Sequence, residues 1–296
     1  MEKYLTIDVG GTAVKYAVMT EELDILEKGE VPTPKELDAF KGVIAGIYKD
    51  HSDVKAVCMS APGKIDSKKG YFFTSGALGY LNDHCLPEEM KEDIPVPFVI
   101  ENDAKAAALA ELWKGSMKGY QSGSVITLGT GIGGSVILDG KLVRGNTFAA
   151  GEFSGIACNW NKNYQEAGQW AEVGSTTSIV KNYAAVKNVP VEEMNGRIFF
   201  EDANNGVEEA IKVLDEFCDA IVSGIVSLQL ILDVQRFSFG GGISKQAILM
   251  DTINRKLDEV FEANKGKTPA TRPEVVACTF GNDANMIGAL YHYLYE

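Results

Sequence analysis

The stretch Val99-Ile100-Glu101-Asn102-Asp103-Ala104-Lys105-Ala106-Ala107-Ala108-Leu109-Ala110-Glu111-Leu112-Trp113 decides how the chain is read. A short β-branched run ends in Glu-Asn-Asp, and an alanine-rich segment of high helix propensity begins at once and stops at Gly115. The pattern predicts a strand feeding a helix, the unit of an α/β fold. Open α/β sheets hold their ligands beyond the carboxyl ends of their strands, and a helix N-terminus stabilises a carboxylate. Asn102 and Asp103 are therefore candidate site residues. Taken alone the same residues make a helix cap, where Asn and Asp are favoured in any protein; the glycine loops on either side lift them above that reading.

Towards the N-terminus, Tyr4-Leu5-Thr6-Ile7 reads as a strand running into Asp8-Val9-Gly10-Gly11-Thr12, and Ala13 to Met19 reads as a second strand. A Gly-Gly turn between strands predicts a hairpin. Here Asp8 is able to hold a metal-bound water, Thr12 offers a hydroxyl and Lys15 a positive charge, a set that suits a phosphate. A polar connection with Pro32 and Pro34 follows, then a helical pattern over 35–50 at Leu37, Phe40, Val43, Ile44 and Ile47. Lys55 to Ser60 reads as a strand ending in Ala61-Pro62-Gly63. Residues 64–95 read as a surface loop with a short helix.

Towards the C-terminus, Gly115 to Gly123 is the best linker and predicts a domain boundary. The strand 124–128 leads into Gly129-Thr130-Gly131-Ile132-Gly133-Gly134, whose glycines at 129, 131 and 134 formally match G-x-G-x-x-G. That dinucleotide motif must open a helix. A β-branched run and the Asp139-Gly140 turn follow instead, which is a hairpin. Gly266-Lys267-Thr268 ends like a P-loop, but Phe261 stands where its first glycine is required. A long helical pattern over 206–234 leads to Arg236-Phe237-Ser238-Phe239 and then Gly240-Gly241-Gly242. A helix over 245–264, a strand from Val275 to Thr279 and a terminal helix after Gly281-Asn282-Asp283 complete the chain. Three strand–glycine-loop units in two halves are suited to cradle a nucleotide through backbone N–H groups.

The 296 residues carry a net charge of −13, which argues against a nucleic-acid backbone or an anionic membrane as the main partner. Met1 to Tyr4 leads straight into a strand rather than a secretory signal. The most apolar window, Ala220 to Val234, is too short and too polar to span a bilayer. The 5 cysteines lack any C-x-x-C pair, which points to reduced thiols in a cytoplasm. His51, His84 and His292 stand apart from any ligand cluster in the sequence.

Asp8-x-Gly-Gly-Thr12-x-x-Lys15, Ala61-Pro-Gly63, Glu101-Asn-Asp103, Leu128-Gly-Thr-Gly-Ile-Gly-Gly134, Gly151-Glu152 and Gly240-Gly-Gly242 resemble, in order and spacing, the ROK family of bacterial sugar kinases and sugar-responsive repressors. The resemblance covers essentially the whole chain. It implies an α/β protein with the two-domain actin-like, ribonuclease-H-like ATPase fold, ATP and sugar meeting in an interdomain cleft. One domain would span 1–118, with the terminal helix over 283–296 packing back on it, and the other 119–282. The resemblance makes Asp103 the general base, has Asn102 and Gly63 hold the sugar, and gives sugar hydroxyls to Glu152 and Glu172. It turns Gly10, Gly11, Thr12, Lys15, Gly129, Thr130, Gly131 and Gly133 to the phosphates and Gly240, Gly241 and Gly242 to the adenosine. Mg²⁺ would arrive with ATP, near Asp8, and a cytoplasmic homodimer is expected.

One departure is informative. Family members typically carry a His and a cysteine-rich zinc run after Gly-Glu; here residues 151–155 are Gly-Glu-Phe-Ser-Gly, and Cys158 is the one cysteine before Glu172. That is too few ligands for a tetrahedral site, so no structural zinc is expected. Phe153, Trp160, Tyr164 and Trp170 offer platforms for sugar faces, or else fill the core space of the missing zinc segment. The zinc-less pattern most resembles β-glucoside kinases, which phosphorylate the 6-hydroxyl of a glucosyl unit, as in cellobiose. Glucokinase, fructokinase and N-acetylmannosamine kinase activities are the alternatives. From another class comes a non-catalytic sugar-binding or sensing protein; a repressor would need a basic helix-turn-helix ahead of the strand that starts near residue 4.

Overall fold

The Gly10-Gly11 turn closes an antiparallel pair, β1 (Tyr4–Val9) and β2 (Ala13–Met19). The structure, a computed structural model, describes all 296 residues. β3 (Ile25–Pro32) pairs with β2 as a mostly exposed edge strand, in what the sequence reads as a polar connection. After α1 (Leu37–Asp50), β4 (Val57–Ala61) returns parallel to β1. A small hairpin, β5 (Ile65–Asp66) with β6 (Tyr71–Phe72), and the short α2 (Leu86–Glu89) follow. Residues 64–95 are thus not the surface loop expected. Phe72, Leu81, Leu86 and Met90 are fully buried in the first core, because their side chains join the apolar cluster of the sheet.

β7 (Phe98–Asn102) pairs parallel with β4, and α3 (Asp103–Lys114) starts on the next residue. Asn102 caps that helix, its Oδ1 accepting from Lys105 N at 3.1 Å. The sheet order is β3-β2-β1-β4-β7. The C-terminal helix, Ala284–Tyr295, packs on α3 and this sheet. Gly288 lets it: a Cβ there would overlap the carbonyl of Ala106.

The chain divides into unit 1, Met1–Lys118 with Arg144–Ala150 and Asn282–Glu296, and unit 2, Gly119–Val143 with Gly151–Gly281. The sequence reading leaves 144–150 with the second domain. The fold puts this segment in unit 1, because Arg144 is anchored there by Glu101 and Glu296.

Unit 2 repeats the plan. β8 (Gly123–Leu128), β9 (Ile132–Leu138) and β10 (Lys141–Val143) form a meander. α4 (Trp170–Gly174), α5 (Thr176–Lys187), α6 (Gly196–Asn204) and α7 (Glu208–Leu232) precede β11 (Arg236–Gly240), with α8 (Ala247–Ala263) and β12 (Glu274–Ala277) after it. The order β10-β9-β8-β11-β12 has the same antiparallel and parallel pairings as the first sheet. Every glycine loop singled out in the sequence thus leaves the carboxyl end of β1, β4, β8 or β11. No helix is long and apolar enough to cross a membrane.

Candidate functional site

In unit 1 the β4–β7 register places Ala61 beside Asn102 and Ser60 beside Glu101, so the loop after β4 and the start of α3 share one end of the sheet. Asn102 Nδ2 donates to Gly63 O at 3.0 Å and to Asp103 Oδ1 at 2.9 Å, and Ala104 N donates to the same carboxylate oxygen at 2.7 Å. Asn102 is buried while Asp103 is half-buried. The carboxylate is therefore aimed by two donors and retains access to a ligand. Gly63 has φ +103°, and a Cβ there would overlap Thr74 O; only glycine allows so close an approach.

Asp8 lies in the same row of the sheet as Ser60. Its Oδ1 accepts from Ser60 Oγ at 2.8 Å and from Asn285 Nδ2 of the C-terminal helix at 3.0 Å. Both bonds fall on one oxygen. Lys15 is the cross-strand partner of Asp8 and lines a cleft of about 430 Å³ with Lys28, Asn282 and Asp283. Gly11 and Thr12 are exposed at the turn. The pairing of Ser60 and Asn285 with Asp8 is not legible in the sequence, because they stand 52 and 277 residues from it.

Next to Asn102 lies an ion cluster built on the buried Glu101. Glu101 is 1% exposed; its Oε1 accepts from Asn102 N at 2.8 Å and its Oε2 from Arg144 Nε at 2.9 Å and Nη2 at 2.6 Å. The guanidinium also bonds Glu296. Burial works against both charges, but the bonds from His292 and Arg144 hold the Glu296 carboxyl below the ordinary carboxylate range. Likewise the two carboxylates hold Arg144 firmly protonated. Glu101, His292 and Glu296 bring three ligand atoms within 4.8 Å of one another, yet the cation among them is this guanidinium.

In unit 2 the loop after β8 is fixed by its neighbours. Thr176, the first residue of α5, donates its N to Gly129 O at 2.9 Å and its Oγ1 to Leu128 O at 3.1 Å. Ser154 Oγ meets Ile132 N at 3.0 Å. Gly129 and Thr130 are exposed, and Gly131 and Gly133 half-exposed, beside the N-terminus of a 12-residue helix, the arrangement that suits phosphate oxygens. Gly241, at φ +93°, has room for no Cβ because Leu128 O lies against it, so the glycine loops after β8 and β11 touch. Gly240 is buried, and Gly242 borders a cleft of about 470 Å³ with Arg197, Phe200, Asn204 and Gln246. These last residues were not singled out from sequence, since a lone Arg or Gln on a helix carries no signal.

Glu152 and Glu172 are both exposed in unit 2. Of the aromatic segment, Phe153 and Trp170 are core residues with rings 6.2 Å apart, and Trp170 Nε1 donates to Ala220 O at 3.1 Å. They fill space and are no sugar platforms. Trp160 and Tyr164 are exposed. Cys158, exposed, is the one thiol in the segment; burial raises its pKa and Glu172 adds to the rise. One thiol does not make a zinc site.

The ROK family model matches residues 4–295. A β-glucoside kinase of Listeria monocytogenes is 30% identical over 99% of this chain and 98% of its own. Among solved structures, a ROK family protein from Streptococcus pneumoniae in complex with sucrose superposes with a TM-score of 0.89 at 26% identity, covering 99% of this chain and 98% of that one. A ROK family glucokinase from Streptomyces griseus, in complex with glucose and AMPPNP, gives 0.80 at 27% identity over 97% of each. The fold is the two-domain actin-like ATPase fold of these ROK sugar kinases. A match from end to end, together with motifs that each sit at a strand end, leaves one conclusion: the chain belongs to the ROK family.

Proposed function

We propose that this protein, an ATP-dependent sugar kinase, transfers the terminal phosphoryl group to the 6-hydroxyl of a glucosyl unit in a β-glucoside such as cellobiose. The observation that carries the reading is the Asp103 carboxylate, accessible at the start of α3 and aimed by Ala104 N and Asn102 Nδ2. In the proposed reaction Asp103 accepts the hydroxyl proton as the oxygen attacks the terminal phosphorus, ADP departs, and a sugar phosphate remains. Asn102 and Gly63 orient the sugar, and Glu152 and Glu172 take hydroxyls. Phosphoryl transfer has little covalent work for the protein, so positioning and charge neutralisation supply most of the rate.

The loops at 10–12 and 129–133, with Lys15, are assigned to the phosphates, and the glycines at 240–242 with the cleft beside Gly242 to the adenosine. Mg²⁺ bound to ATP supplies charge neutralisation; Asp8, whose Oδ1 is held by Ser60 and Asn285, fits a role in holding one of its waters. A carboxylate oxygen is the kind of ligand a hard cation and its waters take. We further propose a homodimer working in the cytoplasm.

The relative named β-glucoside kinase and the lack of a zinc segment support this choice of acceptor. A coupled ADP-release assay across cellobiose, an aryl β-glucoside, glucose, fructose and N-acetylmannosamine tests it. The expected order puts a β-glucoside first in kcat/KM. Glucose in first place would move the assignment to glucokinase, and no ADP release with any sugar would leave a sugar-binding protein.

A further inference from the structure

Unit 1 carries an aromatic cluster that none of the assigned roles uses. Phe73 and Phe148 stack with ring centroids 6.3 Å apart and planes 29° from parallel. Tyr71 meets the edge of Phe73 at 5.1 Å, and the Lys64 ammonium lies 4.6 Å from the Phe73 centroid. Phe73 is nevertheless 40% exposed, one of the few large apolar side chains left open in this unit.

Its position is fixed by bonds to the loop that carries Gly63. Phe73 N donates to Lys64 O at 2.9 Å, and Lys64 N donates to Thr74 Oγ1 at 3.1 Å. Lys64 follows Gly63, whose carbonyl receives Asn102 Nδ2, and Thr74 O packs against the Gly63 Cα. Phe73 is therefore one residue removed from the contact that anchors Asn102. Phe148 approaches from the 144–150 segment in a left-handed backbone conformation, φ +61°. A bulky side chain pays for that conformation with strain of the kind found at ligand clamps.

We infer that Phe73 and Phe148 form the subsite for the second ring of the acceptor, the sugar or aryl group attached through the β-glucosidic oxygen. This rests on the β-glucoside reading above and adds to it the residues that would make a two-ring acceptor better than a one-ring one. A pyranose presents an apolar C–H face and an aryl aglycone a π-face; both stack on a phenyl ring that loses little freedom on binding. The expected acceptors are accordingly glucosides whose aglycone is a ring, of either kind.

The test compares kcat/KM for cellobiose and an aryl β-glucoside with that for methyl β-glucoside, in the wild type and in Phe73→Leu, Phe73→Tyr and Phe148→Gly. Glycine suits the left-handed position, so Phe148→Gly removes the ring without imposing new strain. The ratio of two-ring to one-ring kcat/KM is expected to fall about tenfold in Phe73→Leu and Phe148→Gly and to survive in Phe73→Tyr. Because it is a ratio within one preparation, partial misfolding cancels. An unchanged ratio in an enzyme that phosphorylates all three acceptors would overturn the subsite and leave the β-glucoside reading standing. A wild type active on glucose but on no β-glucoside would sink that reading, and the subsite with it.

Discussion

Replacing Arg144 with Met would remove the half-buried cation that pairs with buried Glu101 and keep most of its length. In the wild type the guanidinium sends two N–H bonds to Glu101 Oε2, at 2.9 and 2.6 Å, and also pairs with Glu296. Glu101 is 1% exposed, so without Arg144 its charge keeps only the bond from Asn102 N. Removing one partner of a buried pair costs about 3–5 kcal/mol, against total domain stabilities of about 5–15 kcal/mol. Urea unfolding followed by circular dichroism gives the loss, and backbone hydrogen exchange across α3 reports on unit 1 separately. Adding Glu101→Gln should recover part of it, since the amide oxygen still accepts from Asn102 N while no uncompensated charge remains buried. A loss below about 1 kcal/mol in the single variant, a surface-pair value, would refute the reasoning.

Three further outcomes are expected. Gly288→Ala drives a methyl into the Ala106 carbonyl and should cost about 1–3 kcal/mol or more, visible as a lower melting temperature with no change of net charge. The Glu296 carboxyl sits below its ordinary value of 4.5 in the folded chain, so the stability it contributes is present above that pH and is lost as the pH falls through its folded pKa; acid unfolding should be shallower in Glu296→Gln. A thiol reagent at neutral pH should modify exposed Cys158 in the native protein and spare buried Cys58 and Cys218, the latter pushed up to about 12 chiefly by burial; rapid loss of all three thiols would contradict the packing.

What the sequence shows of this molecule is what is local. β7 and α3 are legible because a β-branched run and an alanine run adjoin at Asn102-Asp103, and the hairpins because their glycines sit between alternating apolar residues. β3 is not: Leu26, Glu27, Lys28 and Glu30 line an edge strand exposed on its outer side, and such a strand carries little hydrophobic signal. The core contribution of 64–95 is hidden because Phe72, Leu81, Leu86 and Met90 are scattered among Gly, Pro and charged residues. The placement of 144–150 depends on contacts 43 and 152 residues away, to Glu101 and Glu296, which no window contains. The same holds for the site. Asp103, Asn102 and Gly63 announce themselves by motif, whereas Ser60, Asn285, Arg144 and the Phe73–Phe148 stack exist only once the chain is folded. Phe153 and Trp170 read equally well as platform or core, and only burial decides for the core.

The central claim is that one carboxylate takes the acceptor's proton, and Asp103→Asn measures it most directly: the amide keeps the shape at the start of α3 and removes the base. Loss of a general base predicts a fall in kcat of about 10²–10⁴-fold, with sugar binding by calorimetry kept within a few-fold and the melting temperature near that of the wild type. An Asp103→Asn enzyme that binds its sugar and turns over within a few-fold of the wild-type rate would contradict the account.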